Sequence, residues 1–351
     1  MIVHAALAAC ALLATWVVLG TATVGVGLAL RGRIARPAAL SGTGVAAAFW
    51  MGSAALILFV QLWHLVAPVG SATLVVVGAI AVAGLAEHGR SLRDWLLRLE
   101  GRRAWIAAGV VVVIGLWAAH RATAEVANFD TYMYHVPVVD WYRQYAVVPG
   151  IANLHGRFAF NNANFLLAAL VESGPWQTGS PHLVNGVVLL GFLFHGAVRL
   201  AGFAAGTVPS APAVFDIVLL APALAIIGQA PMFVGLTPDV PASLAMFAAF
   251  SMLFAALHQV PDDPGERGIT IVAATAVLAS AATIKLSVAA AAVVAWVIGV
   301  ALLWRLGKSD SPLPRGMLDM AVALAIGIGV AWLIRGVIES GYPFYPSSIA
   351  A

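Results

Sequence analysis

The sequence predicts an all-α, polytopic membrane protein with about ten transmembrane helices and one large loop. Hydrophobic residues make up 62% of the 351 residues, and charged residues only 9%. Long apolar runs alternate with short breaks that are rich in Arg, Gly or Pro, and a run of about 20 apolar residues is enough to cross the hydrocarbon layer. The formal charge is +3, but the sequence has no basic patch with interleaved aromatic residues, so nucleic acid is not an expected partner.

Ten spans follow from the apolar runs in order. The first run has no basic residues ahead of it and is too long for a signal-peptide core, so it is predicted to be a retained span. The eighth and ninth spans meet at Lys285. The predicted spans are 3–29, 42–66, 70–86, 104–120, 183–203, 214–232, 240–258, 269–284, 286–304 and 317–338.

The distribution of Lys and Arg residues predicts how these spans are oriented in the membrane. Assigning successive breaks to alternate sides places thirteen of these residues on one side and five on the other. Cytoplasmic loops of membrane proteins are enriched in Lys and Arg. Both chain ends and the long loop 121–182 are therefore predicted to be extracytoplasmic.

The long loop is predicted to carry two short juxtamembrane helices. Tyr132, His135, Val139 and Tyr142 recur at three- and four-residue spacing, which favours an amphipathic helix along the membrane surface. A turn signal at 148–150 follows, and 160–171 is expected to form a second surface helix. Ionisable residues as dense as those in 128–135 are costly beside a bilayer, so chemistry or polar binding is expected there.

Several short motifs occur in an order that resembles a known superfamily. They are Asp130 in the first large loop, the two juxtamembrane helices, Thr237-Pro238-Asp239, the break at 283–287, and Gly-Tyr-Pro-Phe-Tyr-Pro at 341–346. In this order and sidedness they resemble the C-type superfamily of integral-membrane glycosyltransferases, in particular an uncharacterised bacterial branch. The resemblance covers 104–351, which divides the chain into an N-terminal three-span segment, 1–103, and a glycosyltransferase-like core, 104–351. Members continue with further spans or an outer domain, so truncation at the C-terminus is expected.

The resemblance implies an activity and a site for it. Such enzymes move a sugar from a polyprenyl-phosphate carrier to a glycan, lipid or protein acceptor on the extracytoplasmic face, here that of a bacterial inner membrane. An acidic residue of the first loop is essential in them, which points to Asp130. Glycosyl transfer needs a carboxylate to deprotonate the acceptor hydroxyl or to hold a divalent metal against the leaving phosphate. The alternative is that Asp130 only caps the helix that follows it.

Asp239 is the second candidate carboxylate, and it is predicted to lie on the same membrane face as Asp130. Two converging carboxylates suit a hard, oxygen-liganded cation such as magnesium or manganese. The alternative is again structural, because Thr237-Pro238-Asp239 is also an ordinary helix start.

Polar residues of the loop supply candidate substrate contacts. His135 could orient a phosphate, ligate a metal or shuttle a proton, or be a hydrogen-bonded structural residue. His155 and Arg157 suit a phosphate head, or a solvated turn at lipid headgroups. Asn161 and Asn162 could bind sugar hydroxyls, or serve as turn and cap residues.

Three later residues are predicted to lie at the same face. Lys285 and Arg335 are candidates to bind the carrier phosphate, with Tyr342 beside Arg335. The alternatives are snorkelling of the Lys285 ammonium to lipid headgroups and an interfacial belt of tyrosines.

A transporter or flippase for a lipid-linked or small polar solute is the alternative function. Polytopic helices and isolated intramembrane charges suit both classes. Transport sites lie near the midplane between repeated halves, whereas here the polar residues concentrate in an external loop and no internal repeat is found. The sequence therefore favours the enzyme.

Overall fold

The computed structural model describes residues 2–34, 40–97, 102–258, 260, 262–308 and 316–347, and its regular structure there is helical. The α-helices are α1 Ile2–Ile34, α2 Gly42–His64, α3 Ser71–Glu87, α4 Gly89–Leu97, α5 Arg102–Ala122, α6 Val136–Gln144, α7 Ala163–Glu172, α8 Ser180–Ala204, α9 Ser210–Gly228, α10 Ala230–Phe233, α11 Asp239–Leu257, α12 Pro264–Ile284, α13 Ala289–Leu306 and α14 Met317–Ser340.

The described residues include nine helical segments that are long and apolar enough to cross a membrane. They correspond to α1, α2, α5, α8, α9, α11, α12, α13 and α14. The remaining predicted span, 70–86, coincides with α3, which meets α4 at a bend of 61°. Nine of the ten predicted spans thus match helices that could cross a membrane, which indicates a multi-pass membrane protein.

Helices α2, α11 and α12 form the centre of the bundle. In their most apolar 18-residue stretches, 72%, 72% and 83% of the residues are buried, whereas in that of α13 only 22% are. Glycines let α1 pack closely against α2: a Cβ at Gly52 would lie 2.0 Å from the carbonyl oxygen of Thr23. Helix α1 also packs against α5 and α8, and α2 against α12. The three N-terminal spans therefore share one bundle with the later helices, and the division at residue 103 stays a prediction.

The long loop contains the two predicted short helices, but they differ in their surroundings. A π-helical turn, Thr131–His135, leads into α6. Helix α7 overlaps the predicted surface helix 160–171, yet it is largely buried and packs against α2, α6 and α8. Most of its own side chains are buried, Phe165 and Leu166 among them, so it lies inside the end of the bundle and not along its surface.

Candidate functional site

The first feature of the candidate site is an ion pair between two parts of the loop. Arg157 Nη1 lies 2.7 Å from Asp130 Oδ1, and both side chains are 43% exposed. The Arg157 guanidinium also lies over the Tyr134 ring, 5.2 Å from its centroid. Asp130 directly precedes the π-helical turn but makes no capping hydrogen bond with its side chain. The carboxylate therefore faces a cation and not the helix end, which disagrees with the capping alternative.

A second ion pair joins the start of α11 to the end of α12. Lys285 Nζ contacts Asp239 Oδ1, and the Thr237 hydroxyl donates a hydrogen bond to Asp239 Oδ2 at 3.0 Å. The backbone of Lys285 is extended, which ends α12 and turns the ammonium toward Asp239. Both charged side chains remain partly exposed. Lys285 thus has a carboxylate partner, in addition to any role at headgroups.

The loop and the entrance to α11 are in contact, which brings the two ion pairs toward each other. The backbone N–H of Leu236 donates to the Thr131 hydroxyl at 3.4 Å. The charges of both Asp130 and Asp239 act on Tyr134 and His135. We call Asp130, Arg157, Asp239 and Lys285, with Tyr134 and His135, the paired-ion site.

His135 is a buried imidazole in this site. Burial lowers the pKa of His135 to about 4; the negative charge of Asp130 opposes that shift and the positive charge of Arg157 adds to it. Its ring packs against Phe165, with centroids 4.9 Å apart. Neither ring nitrogen has a hydrogen-bond partner among the described residues. At neutral pH the imidazole is therefore uncharged, with one nitrogen able to donate a hydrogen bond and the other able to accept one.

The Tyr134 side chain supplies a phenol hydroxyl that holds its proton firmly. Its pKa is raised by burial first and by the neighbouring Asp130 carboxylate second. The phenol therefore stays protonated at neutral pH and can donate a hydrogen bond. Nothing in the sequence marks Tyr134 beyond its place in the polar segment 128–135, and sequence reasoning missed it.

His155 and Asn162 shape the segment that carries Arg157. The His155 Nδ1 atom accepts a hydrogen bond from the backbone N–H of Arg157 at 3.3 Å. Asn162 Oδ1 accepts from the backbone N–H of Asn164 at 2.8 Å and caps α7. In the arrangement described, both side chains make local contacts that position the backbone on either side of the site.

Asn161 and Arg335 belong to a separate, buried network. Arg335 is fully buried and donates to Asn161 Oδ1 at 2.6 Å and to Glu339 Oε1 at 2.8 Å. Its guanidinium lies 4.9 Å from the centroid of the Tyr142 ring, and the Tyr142 hydroxyl donates to Glu339 at 3.2 Å. This network fastens α14 to the loop and does not offer Arg335 as a free cation. Its partner Glu339 was missed, although the four-residue spacing from Arg335 is a signal for it.

Tyr342 lies just beyond α14, outside the paired-ion site. It is 37% exposed, and its ring centroid lies 6.4 Å from that of Tyr345. This position suits the interfacial belt of aromatic side chains that the sequence offered as one alternative.

The predicted magnesium or manganese ion would have to compete with side chains already present. Asp130 and Asp239 each face a cation, and the described residues contain no group of three or more His, Cys, Asp or Glu arranged to hold a metal. As arranged, this donor set fits a metal poorly, because a hard cation takes about six oxygen ligands. The metal assignment stays a prediction, and no step proposed below depends on it.

Fold and site together define a multi-pass helical membrane protein with a cluster of paired charges at the loop-bearing end of its bundle. The chain belongs to the family described as a domain of unknown function (DUF8201), which matches residues 10–351. No curated protein and no solved structure matches it.

Proposed function

We propose that the protein is a glycosyltransferase that moves a sugar from a polyprenyl-phosphate carrier to an acceptor hydroxyl of a cell-envelope glycan, lipid or protein. The observation that carries the proposal is the paired-ion site, where Asp130 and Asp239, each paired with a cation, act on a neutral His135 and a protonated Tyr134. Glycosyl transfer develops positive charge on the sugar and negative charge on the leaving phosphate, so it needs groups of both signs in one place.

Substrate binding rearranges the two ion pairs in this proposal. A phosphate competes with Asp130 for Arg157 and with Asp239 for Lys285, because both cations are partly exposed. Charge-assisted hydrogen bonds to phosphate are strong, and Arg presents a planar fork that matches it. The competition frees the Asp130 carboxylate at the moment when the donor is in place.

Asp130 then acts as the base. The acceptor hydroxyl gives its proton to the Asp130 carboxylate, and its oxygen forms a bond to the anomeric carbon of the sugar. The bond between that carbon and the phosphate oxygen breaks, and its electron pair stays on the phosphate, which Arg157 and Lys285 hold. Asp130 afterwards releases its proton to water.

The location in a bacterial inner membrane, with the site on the extracytoplasmic face, is part of the same proposal. The distribution of Lys and Arg among the loops supports the orientation. A polyprenyl carrier is a membrane lipid, so a site at one end of an apolar bundle is where its phosphate would be presented.

The test compares sugar transfer by the wild type and Asp130→Asn, using purified protein with polyprenyl-phosphate sugars and candidate acceptors. Loss of a general base typically slows a reaction about 10²–10⁴-fold. Asp140→Asn is the matched control, because Asp140 is a partly exposed loop carboxylate that pairs with Arg143. Unchanged transfer by Asp130→Asn would refute the catalytic assignment.

A transporter or flippase is the second candidate, and one observation favours it. Arg199 Nε lies 2.6 Å from Asp216 Oδ2, and Ser251 Oγ contacts both Asp216 and His195, all four being buried among apolar helices. Ionisable groups at such depth often mark transport pathways. The test measures movement of a lipid-linked sugar across the bilayer of proteoliposomes. Movement that Asp130→Asn retains and Asp216→Asn loses would support this candidate.

A further inference from the structure

An apolar chamber of about 170 Å³ lies inside the bundle, next to the paired-ion site. Helices α1, α2, α3, α7, α8, α11 and α12 form its walls. Apolar side chains dominate the lining, among them Leu19, Ile57, Val77, Leu167 and Val188. An apolar cavity of about 150 Å³ between helices stays dry and binds a small hydrocarbon such as benzene. The chamber is therefore suited to a section of hydrocarbon chain.

The chamber and the paired-ion site are joined along the chain. Ile284 lines the chamber and directly precedes Lys285, and Pro241 lines it two residues after Asp239. The hydrocarbon space thus begins at the two helix ends that hold one of the ion pairs. A ligand with an anionic head at Lys285 would have its chain beside this space.

Asn164 is a polar residue in the chamber wall. It lines the chamber and is fully buried, and neither its amide nitrogen nor its amide oxygen has a hydrogen-bond partner among the described residues. An unpaired buried amide costs free energy. A ligand that is apolar along its length but polar near its head would supply the missing partner.

We infer that the chamber binds the hydrocarbon chain of the lipid-phosphate donor, while Arg157 and Lys285 hold its phosphate. This inference rests on the proposed function, and it names where the carrier lipid lies: between the helices and not along the outside of the bundle. The cations of the paired-ion site complement the charge of a phosphate, and the chamber complements its chain. The inference also gives α1, α2 and α3 a role, because all three supply chamber walls.

Two glycines provide a matched pair of variants. A Cβ at Gly78, which lines the chamber, would meet nothing within 4 Å, and neither would a Cβ at Gly109 on the exposed face of α5. Gly78→Leu should therefore place a side chain in the chamber without displacing backbone, whereas Gly109→Leu should place one in lipid. Ser53→Leu is a second filling variant, because Ser53 also lines the chamber.

The experiment uses the full chain in lipid nanodiscs and farnesyl phosphate that carries a photoreactive diazirine at the end of its chain. Mass spectrometry should locate the crosslinks on chamber-lining residues of α2, α3 and α7. Gly78→Leu and Ser53→Leu should each reduce this labelling about tenfold, since each methylene excluded from an apolar site costs several-fold in affinity. Gly109→Leu should leave it unchanged.

Three outcomes of the labelling experiment would overturn the inference. They are crosslinks spread evenly over the lipid-facing helices, labelling that neither filling variant reduces, and displacement of the probe by excess dioleoyl phospholipid as readily as by unlabelled farnesyl phosphate. The last outcome would mean that the chamber holds ordinary acyl chains.

The labelling requires no sugar transfer, so its failure is separable from failure of the proposed function. Asp140→Asn, at a carboxylate that is not part of the paired-ion site, should keep full labelling of the chamber. If transfer is never observed but the labelling follows the filling variants, the chain site stands and the glycosyltransferase proposal falls. If the wild type transfers sugar and Gly78→Leu does so with unchanged dependence on donor concentration, the chamber assignment falls alone.

Discussion

Arg157 and Asp130 lie 27 residues apart in the chain, yet Arg157 Nη1 and Asp130 Oδ1 are 2.7 Å apart in the fold. The pair is partly exposed, so it contributes little to the stability of the protein. Little free energy is therefore needed to separate the two side chains. The arrangement therefore suits a cation that must exchange one anionic partner for another during a reaction.

The first prediction concerns Arg157. Arg157→Gln should weaken donor binding, raising the apparent KM for a polyprenyl-phosphate sugar about tenfold, because one charge-assisted contact to the phosphate is lost. The melting temperature should change little, since the pair is partly exposed. Arg157→Lys should recover part of the binding. A large fall in melting temperature with an unchanged KM would instead indicate a structural role.

The second prediction concerns the buried network. Arg335→Leu leaves the Glu339 carboxylate buried without its cation, which typically costs about 3–5 kcal/mol of stability. Replacing both residues, as Arg335→Leu with Glu339→Leu, should recover much of that loss, because the unpaired charge is removed together with its partner. Thermal unfolding in detergent, followed by circular dichroism, measures both variants. A double variant no more stable than Arg335→Leu would contradict this account.

The third prediction follows from the lowered pKa of His135. In the folded protein this pKa is about 4, compared with 6.5 for the free side chain, so the unfolded chain binds more protons between these values. The contribution of His135 to stability is complete above pH 6.5 and is lost as the pH falls toward 4. His135→Gln should therefore show a shallower fall in melting temperature across that range. Equal slopes for the two proteins would mean that His135 is not held neutral by burial.

The fourth prediction concerns the orientation in the membrane, which the distribution of Lys and Arg among the loops predicts. Tyr132 is 63% exposed beside Asp130, so Tyr132→Cys in a Cys10→Ser background should react with an impermeant maleimide on intact cells. Arg305→Cys, at the other end of α13 from Lys285, should react only after lysis. The opposite pattern would place the paired-ion site in the cytoplasm. Thr131, one residue away, is buried and unsuited to such labelling.

The spans were predictable from sequence because each depends on a local property, an apolar run long enough to cross hydrocarbon. The partners of charged residues were not, because the contacts of Asp130 with Arg157 and of Asp239 with Lys285 arise from tertiary packing. Burial explains the other differences. The sequence predicts Arg335 to be a free cation at the end of a long span, whereas in the fold it is buried and paired with Glu339.

The last prediction concerns Lys285 and the class of lipid that the site selects. Wild-type protein should bind a polyprenyl phosphate more tightly than the corresponding polyprenol, because Lys285 and Arg157 favour the anionic head. Lys285→Gln should reduce this preference about tenfold while leaving polyprenol binding unchanged, since the chain contacts remain. Lys308→Gln is the control: this lysine lies over the Trp304 ring just beyond α13, at the other end of that helix from Lys285. Binding can be measured by displacement of a fluorescent lipid phosphate. A preference for the phosphate that survives Lys285→Gln intact would assign the anionic head to Arg157 alone and leave Lys285 as the structural partner of Asp239.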